Sequence, residues 1–353
     1  MTGVSKLSER ENKRVKRKIF KLLVASSSAI ILIALIFFTN GLEELYNMVS
    51  KAKLQWIAAA FGCMVIYWIM DGALLHITAD GLLEHQPLKD TIRVTMIGQF
   101  FNAITPLAGA GQPVQAYVMV KDGVKPGHAA SIIIIKNFFH QLVIVFYSLT
   151  AFVIKGPLFA DKIKNFYYFY ALGLLINIAF LFFYALFIYR KAMARKVLIW
   201  VFQLFRKLKL KKTDTWQTKV ESELESFGGG IVMIKTNKLL VIKLFVIQFV
   251  QFTFYFIIPW FVHYAVETNR VNPLDMIIAQ SMIILISLMV PSPGATGGVE
   301  GLSYLFYGMF FRQGYIIPAI LIFRLLTYYS SLIVGGLFTL FAPEKPLERR
   351  KIQ

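Results

Sequence analysis

A lone cysteine, Cys63, rules out an intrachain disulfide, and because it lies inside an apolar run it reveals nothing about the redox compartment. Acidic residues are scarce too, 19 Asp and Glu against 38 Lys and Arg, for a formal charge of +19. Several catalytic and nucleotide-binding signatures are missing. There is no G-x-x-x-x-G-K-[ST] loop for nucleotide phosphates, no H-E-x-x-H metal pair and no G-x-S-x-G nucleophile elbow. GAGQPV at 109–114 lacks the third glycine of a dinucleotide fingerprint. Intrinsic ATP-driven transport is therefore not expected, nor is a catalytic constellation, a metal site or a cofactor.

What the chain has in abundance is apolar surface. Hydrophobic residues make up 57% of 353 and aromatics 15%, with a mean hydropathy of +0.61. That is well beyond a soluble globular domain, and the expected class is an all-α polytopic membrane protein. The excess of positive charge lies between the apolar runs, so it reads as topology and as attraction to an anionic cytoplasmic leaflet rather than as binding to nucleic acid.

Hydropathy places full spans at about 20–40, 54–78, 128–154, 165–189, 239–263 and 315–341. The first apolar run lacks a small-residue cleavage site, so it reads as a retained helix rather than a signal peptide. Residues 1–19 form a basic tail, 20–342 a single membrane domain, 190–238 a basic loop and 343–353 a second tail. MARKVLIWVFQLFRKLKLKK at 193–212 suits an interfacial helix or a topology-fixing loop, and the glycines at 228–230 read as a link. The loop is shorter than the usual lower limit for an independently folded domain.

Two segments, 92–118 and 273–311, do not read as clean spans. Each carries a Pro/Gly break between short apolar halves, PLAGAGQPVQ at 106–115 and PSPGATGGVE at 291–300. The breaks align without a gap: Pro106 with Pro291, Gly109 with Gly294, Ala110 with Ala295, Val114 with Val299 and Gln115 with Glu300. Gly111 and Pro113 complete the first break, and Pro293, Gly297 and Gly298 the second. Irregular backbone at membrane depth is tolerated only against protein or a polar cavity, and paired breaks point to a transport site. Six full spans plus two broken segments, both re-entrant or both crossing fully as hairpins, put the basic tail, the basic loop and the C-terminal segment on one side, which makes both termini cytoplasmic in a cell membrane. Three full spans separate the two broken segments, so they enter from opposite faces. The expected architecture is an inverted repeat, with copies around 92–154 and 273–341.

Each copy also carries a cation in its next helix, Lys136 in IIIIKNFFHQL and Arg324 in AILIFRLLTYYS. A charge at the centre of a span costs about 2.5 to 3.5 kcal/mol on insertion scales, so such residues face partners or a wet cavity. Two cations beside two breaks would suit a phosphate; alternatively each pairs with Asp71 or Glu300 and holds helices together. Glu300 would receive an amine or pair with Arg324. Asp71 would carry a proton or reach the interface. His140 lies one turn beyond Lys136, and Gln112 and Gln115 would hydrogen-bond a headgroup or bridge helices.

These two motifs, with a basic residue in each following helix, resemble the lysylphosphatidylglycerol synthase transmembrane family, the flippase-like membrane region of the multiple peptide resistance factor and its stand-alone relatives. The resemblance spans roughly residues 20–342, and PSPGATGGVE with Arg324 is its most specific part. It implies movement of aminoacylated phosphatidylglycerol to the outer leaflet and resistance to cationic antimicrobial peptides. This chain departs from the family at Gln115, where relatives often carry an acid, and at Lys136, where they often carry arginine. The expected function is therefore translocation of a polar phospholipid between leaflets, with the membrane lipid as partner and room for an oligomer or a separate lipid-modifying transferase. The alternatives are a membrane subunit or enzyme of lysylphosphatidylglycerol synthesis and a polyprenyl-phosphate lipid carrier.

Overall fold

The computed structural model describes residues 52–82, 84–105, 109–189, 227–228, 236–267 and 269–341. The expected span at 20–40, both tails, the stretch 193–212, Gly229, Gly230 and Pro106 lie outside the described residues.

The described residues form helices α1 (Leu54–Asp80), α2 (Leu88–Ile104), α3 (Gly111–Lys121), α4 (Pro126–Lys162), α5 (Phe166–Tyr189), α6 (Lys238–Phe256) and α7 (Ile258–Val266). They continue as α8 (Pro273–Ser287), α9 (Gly298–Tyr307), a 3-10 turn (Gln313–Tyr315), α10 (Ile316–Arg324), a π turn (Leu325–Tyr329) and α11 (Ser330–Phe341). No strand occurs among the described residues. Among the described residues, five stretches are long and apolar enough to cross a membrane: Leu54–Asp80, Pro126–Lys162, Phe166–Tyr189, Lys238–Val266 and Gln313–Phe341. Their surroundings must be lipid. The α5 stretch has a mean hydropathy of 2.4, yet only 22% of its most apolar window is buried, and Phe182 on its outer face is 63% exposed. In water such a face would drive aggregation; in a bilayer it needs no cover. The chain is an all-helical, multi-pass membrane protein.

Two spans differ in detail from the hydropathy reading. α4 continues past 154 to Lys162 and takes Pro157 into its last turns. Pro157 removes one backbone hydrogen bond, which a transmembrane helix tolerates, and Lys155 is paired with Asp275 of α8 at 3.4 Å. The stretch 155–164, which lies between the expected spans 128–154 and 165–189, is thus mostly helix. The span from Lys238 to Val266 is interrupted at Ile257, where Pro259 lies in the first turn of α7 and lacks the amide needed to continue α6 unbroken.

Both short segments are broken helices. α2 ends at Ile104 and α3 starts at Gly111; α8 ends at Ser287 and α9 starts at Gly298. Their packing is reciprocal. α2, from the first broken segment, packs on α11 at the end of the chain, and α8, from the second, packs on α4, the helix that follows the first. α1 touches α2, α4, α6 and α7 and so links both broken halves of the bundle to the α6–α7 span. The main core combines Met64, Phe252, Met276, Phe306 and Phe323; a second, formed by Leu74, Val94, Met119, Ile132 and Leu240, closes the other end.

The α2–α11 contact depends on the absence of a side chain. A Cβ on Gly335 would lie 2.5 Å from the Met96 carbonyl oxygen and 3.0 Å from the Phe100 Cβ, so the two helices meet backbone to backbone. Gly335→Val is expected to destabilise the protein by about 1–3 kcal/mol. Gly62→Ala, where the added methyl would have no neighbour within 4 Å, should leave the unfolding temperature in detergent unchanged.

Candidate functional site

The second break is built around one guanidinium. Arg324 ends α10, and the helix then widens into the π turn, a distortion that recurs at functional sites. Arg324 Nη1 donates to the Gly294 carbonyl at 3.2 Å and Nη2 to Thr296 Oγ1 at 3.1 Å. Its Nε lies 2.7 Å from Glu300 Oε1, a close ionic contact that lacks the aligned geometry of a hydrogen bond. Its Cζ lies 4.3 Å from the centre of the Tyr328 ring, a cation–π contact. Glu300 has a second task, since its Oε2 accepts the Gly297 amide at 2.7 Å and so caps α9.

This arrangement holds an irregular loop in place. Gly294, Ala295 and Gly297 have φ values of 59°, 51° and 87°. Ala295 pays for its left-handed backbone, of order 1–2 kcal/mol, and neighbouring bonds must hold it there. At Gly294 a Cβ would fall 2.1 Å from the Tyr328 ring, so no larger residue fits. The Tyr328 hydroxyl donates to the Ala103 carbonyl at 3.0 Å, next to the first break. One tyrosine therefore touches both broken segments.

The first break is neutral. The Gly111 amide donates to Asn102 Oδ1 at 2.9 Å and the Ala110 amide to Thr105 Oγ1 at 3.3 Å. Together with Gly297, these helix-start amides are already taken by the protein's own side chains, so they are not bare donors for an anion. Gln115 is buried against Gly98, and Gln112 donates to Asn137 Oδ1 at 3.4 Å; neither lines the cavity described below.

The cation of the first copy, Lys136, lies 2.7 Å from Asp71 Oδ1, with both side chains 7% exposed. Gln99 donates to Asp71 Oδ2 at 3.3 Å. The pair joins α1 to α4 and connects through Gln99 to the interior of the bundle.

A cavity of about 300 Å³ lies between the two ion pairs. Arg324, Gly294, Asn102, Gln99, Tyr67 and His140 are on its wall, as are Gln141, Asn177, Phe252, Tyr255, Thr327 and Tyr328. Gln141 donates to Asn177, whose own amide donates to the Leu285 carbonyl at 3.1 Å, which ties α4, α5 and α8 together beside the cavity. Of the residues singled out from the sequence, Arg324 and His140 face the cavity directly, with Gly294, Ala295 and Val299 of the second break. Glu300 touches it through Arg324, and Lys136 and Asp71 lie behind Gln99. Among the described residues no three His, Cys, Asp or Glu side chains are placed to hold a metal ion. The wall combines one guanidinium, one imidazole, several amides and hydroxyls, and aromatic rings, a lining that suits binding a polar group.

Sequence reasoning passed over the amides Gln99, Asn102, Gln141 and Asn177 and the tyrosines Tyr67, Tyr255 and Tyr328. Amides within apolar runs were a readable signal, because they must find partners in a bilayer. The tyrosines carried none.

The profile of the lysylphosphatidylglycerol synthase TM region matches residues 19–335, and the chain belongs to that family. A membrane protein of Archaeoglobus fulgidus described as a UPF0104 membrane protein is 23% identical over 313 residues, covering 86% of this chain and 92% of the relative.

The Asp71–Lys136 pair makes a clear thermodynamic expectation. Lys136→Met or Asp71→Asn alone leaves one buried charge without its partner and should cost about 3–5 kcal/mol. The double variant should recover most of that loss in thermal unfolding of the purified protein; additive losses would show that the two groups do not act as a pair.

Proposed function

We propose that this protein moves a phosphate-bearing phospholipid between the leaflets of the membrane, the headgroup passing through the cavity at Arg324 while the acyl chains stay in the bilayer. The observation that carries this reading is a buried guanidinium on the wall of a cavity beside two broken helices. Intramembrane charge beside irregular backbone is the usual setting of a carrier site. The cavity volume of about 300 Å³ accommodates a headgroup and excludes two acyl chains. Aminoacylated phosphatidylglycerol is the first candidate, in keeping with the name of the family.

The mechanism follows from the pairing. Arg324 holds the second break shut through Gly294, Thr296 and Glu300. A lipid phosphate offers the same guanidinium a bidentate partner, and charge-assisted bidentate bonds outcompete a single poorly aligned contact. Releasing Glu300 and the loop carbonyl frees the break to change conformation. The reciprocal packing of α2 on α11 and α8 on α4 supports an inverted repeat in which one broken segment opens as the other closes. In this topology both termini are cytoplasmic and the chain resides in the cell membrane. A second reading, a membrane subunit that presents lipid to a separate transferase, is favoured by the word synthase in the family name; expression of this chain alone would then leave lipid aminoacylation unchanged until the transferase is added.

Arg324→Ala and Glu300→Ala are each expected to reduce leaflet exchange of a fluorescent phospholipid in proteoliposomes to the rate of empty vesicles, with membrane insertion intact. Wild-type exchange in both variants would make the pair a structural tie only.

A further inference from the structure

Eight buried side-chain nitrogen and oxygen atoms lack a hydrogen-bond partner among the described residues, and three of them fall on one short stretch: His263 Nδ1, Glu267 Oε2 and Asn269 Oδ1. A buried polar atom left unpaired is costly, so three together need a reason. They lie where α7 ends, at the end of the bundle where α1 begins, since the Lys53 amide just before α1 donates to the Ala265 carbonyl at 3.0 Å. None of the three residues lines the cavity at Arg324.

Each is fixed through its other polar atom. His263 Nε2 lies 3.1 Å from the Asn269 carbonyl, which can only accept, so Nε2 carries the hydrogen and the neutral ring presents a lone pair at Nδ1. Glu267 Oε1 accepts the Arg312 amide at 3.1 Å, which leaves Oε2. The Asn269 side-chain nitrogen donates to the Phe310 carbonyl at 3.4 Å, which leaves Oδ1. All three orphans are therefore acceptors, one nitrogen and two oxygens. One water molecule donates two hydrogens and neutralises no charge, whereas one cation satisfies all three atoms and offsets the carboxylate.

Glu267 needs that offset. Its side chain is 3% exposed, and its only ionic contact among the described residues is His263 at 3.9 Å. Lys53, Arg270 and Arg312 are exposed, and Asp275 of α8 is paired with Lys155. The 3.9 Å between Nδ1 and Oε2 is too long for a hydrogen bond, yet one ion bridges it with bonds of about 2.1 Å to each atom. A carbonyl on the far nitrogen of a histidine and a hydrogen bond on the far oxygen of a carboxylate are the supports that orient metal ligands. An imidazole nitrogen beside two oxygens suits a divalent transition metal rather than magnesium or calcium, which take oxygen ligands.

We propose that His263, Glu267 and Asn269 bind one divalent transition-metal ion of the zinc class, at the outer face in the topology proposed above. Phe310 and Arg312 belong to the turn between α9 and α10, and the His263 ring packs against Phe311 at 4.7 Å. The ion staples the end of α7 to the turn that follows the second broken segment.

The test uses the full chain purified in detergent, stripped with a chelator and titrated with zinc chloride. One zinc per chain is expected, with a rise in unfolding temperature that the chelator reverses and that magnesium and calcium do not produce. X-ray absorption at the zinc edge should show a single imidazole among nitrogen and oxygen ligands. Two or more would place the metal at His76, His85 and His128, which gather with Asp80 and Glu84 at the opposite end of α1, and would overturn the assignment. Glu267→Gln and Asn269→Ala should each weaken zinc binding on the order of tenfold or more, whereas His85→Ala, at a side chain 82% exposed, should bind as the wild type does. No zinc retained by the wild type, or wild-type affinity in both Glu267→Gln and Asn269→Ala, sinks the proposal, and so does stabilisation by acid alone with no metal bound. If a variant does not fold, the stoichiometry and absorption spectrum of the wild type decide.

Discussion

A charge inside a bilayer must be matched, and in this protein the match at Arg324 is what the rest of the site depends on. The guanidinium satisfies the Gly294 carbonyl, meets Thr296 and faces Glu300, and Glu300 in turn caps α9 through the Gly297 amide. Without these bonds a loop with three left-handed residues in four would have no reason to hold its shape inside a membrane. The same guanidinium lies on the cavity wall. In the proposed function, structure and binding would draw on this one group, and a ligand that claims it would loosen the break it holds.

The two halves of the molecule solve the same problem in different ways. The second break uses an ion pair, whereas the first uses neutral side chains, Asn102 and Thr105, to accept the amides at the start of α3. Its cation, Lys136, is paired instead with Asp71 on α1 and lies behind Gln99. One half thus offers a charged group to the cavity while the other keeps its charge out of direct contact with it. Tyr328 joins the halves, its hydroxyl on Ala103 and its ring against Gly294. This side chain is a direct physical link between the two breaks.

Much of this was readable from the residues, for a physical reason. Asp71, Lys136, Glu300 and Arg324 stand out because ionisable groups are rare and expensive in apolar runs, and the Pro/Gly breaks because glycine and proline punctuate helices. Two acids and two cations also allowed few pairings. The cavity wall was not readable in the same way. With 15% aromatic residues, nothing in the string separates Tyr67, Tyr255 and Tyr328 from tyrosines that face lipid, because the distinction lies in helix rotation and packing. The length of α4 was hidden for a related reason: Lys155 ends the hydropathy window, although its charge is matched by Asp275 and the helix continues. Composition reports the cost of a residue, whereas only the packed structure reports what offsets it.

The most direct test of the central claim is a structure of the protein determined in lipid nanodiscs containing saturating aminophospholipid. The account requires density for a phosphate within hydrogen-bond distance of Arg324, with the Glu300 contact lengthened and the acyl chains leaving the cavity between helices. A cavity holding only water, with Arg324 and Glu300 still 2.7 Å apart and every lipid confined to the outer surface, would contradict it.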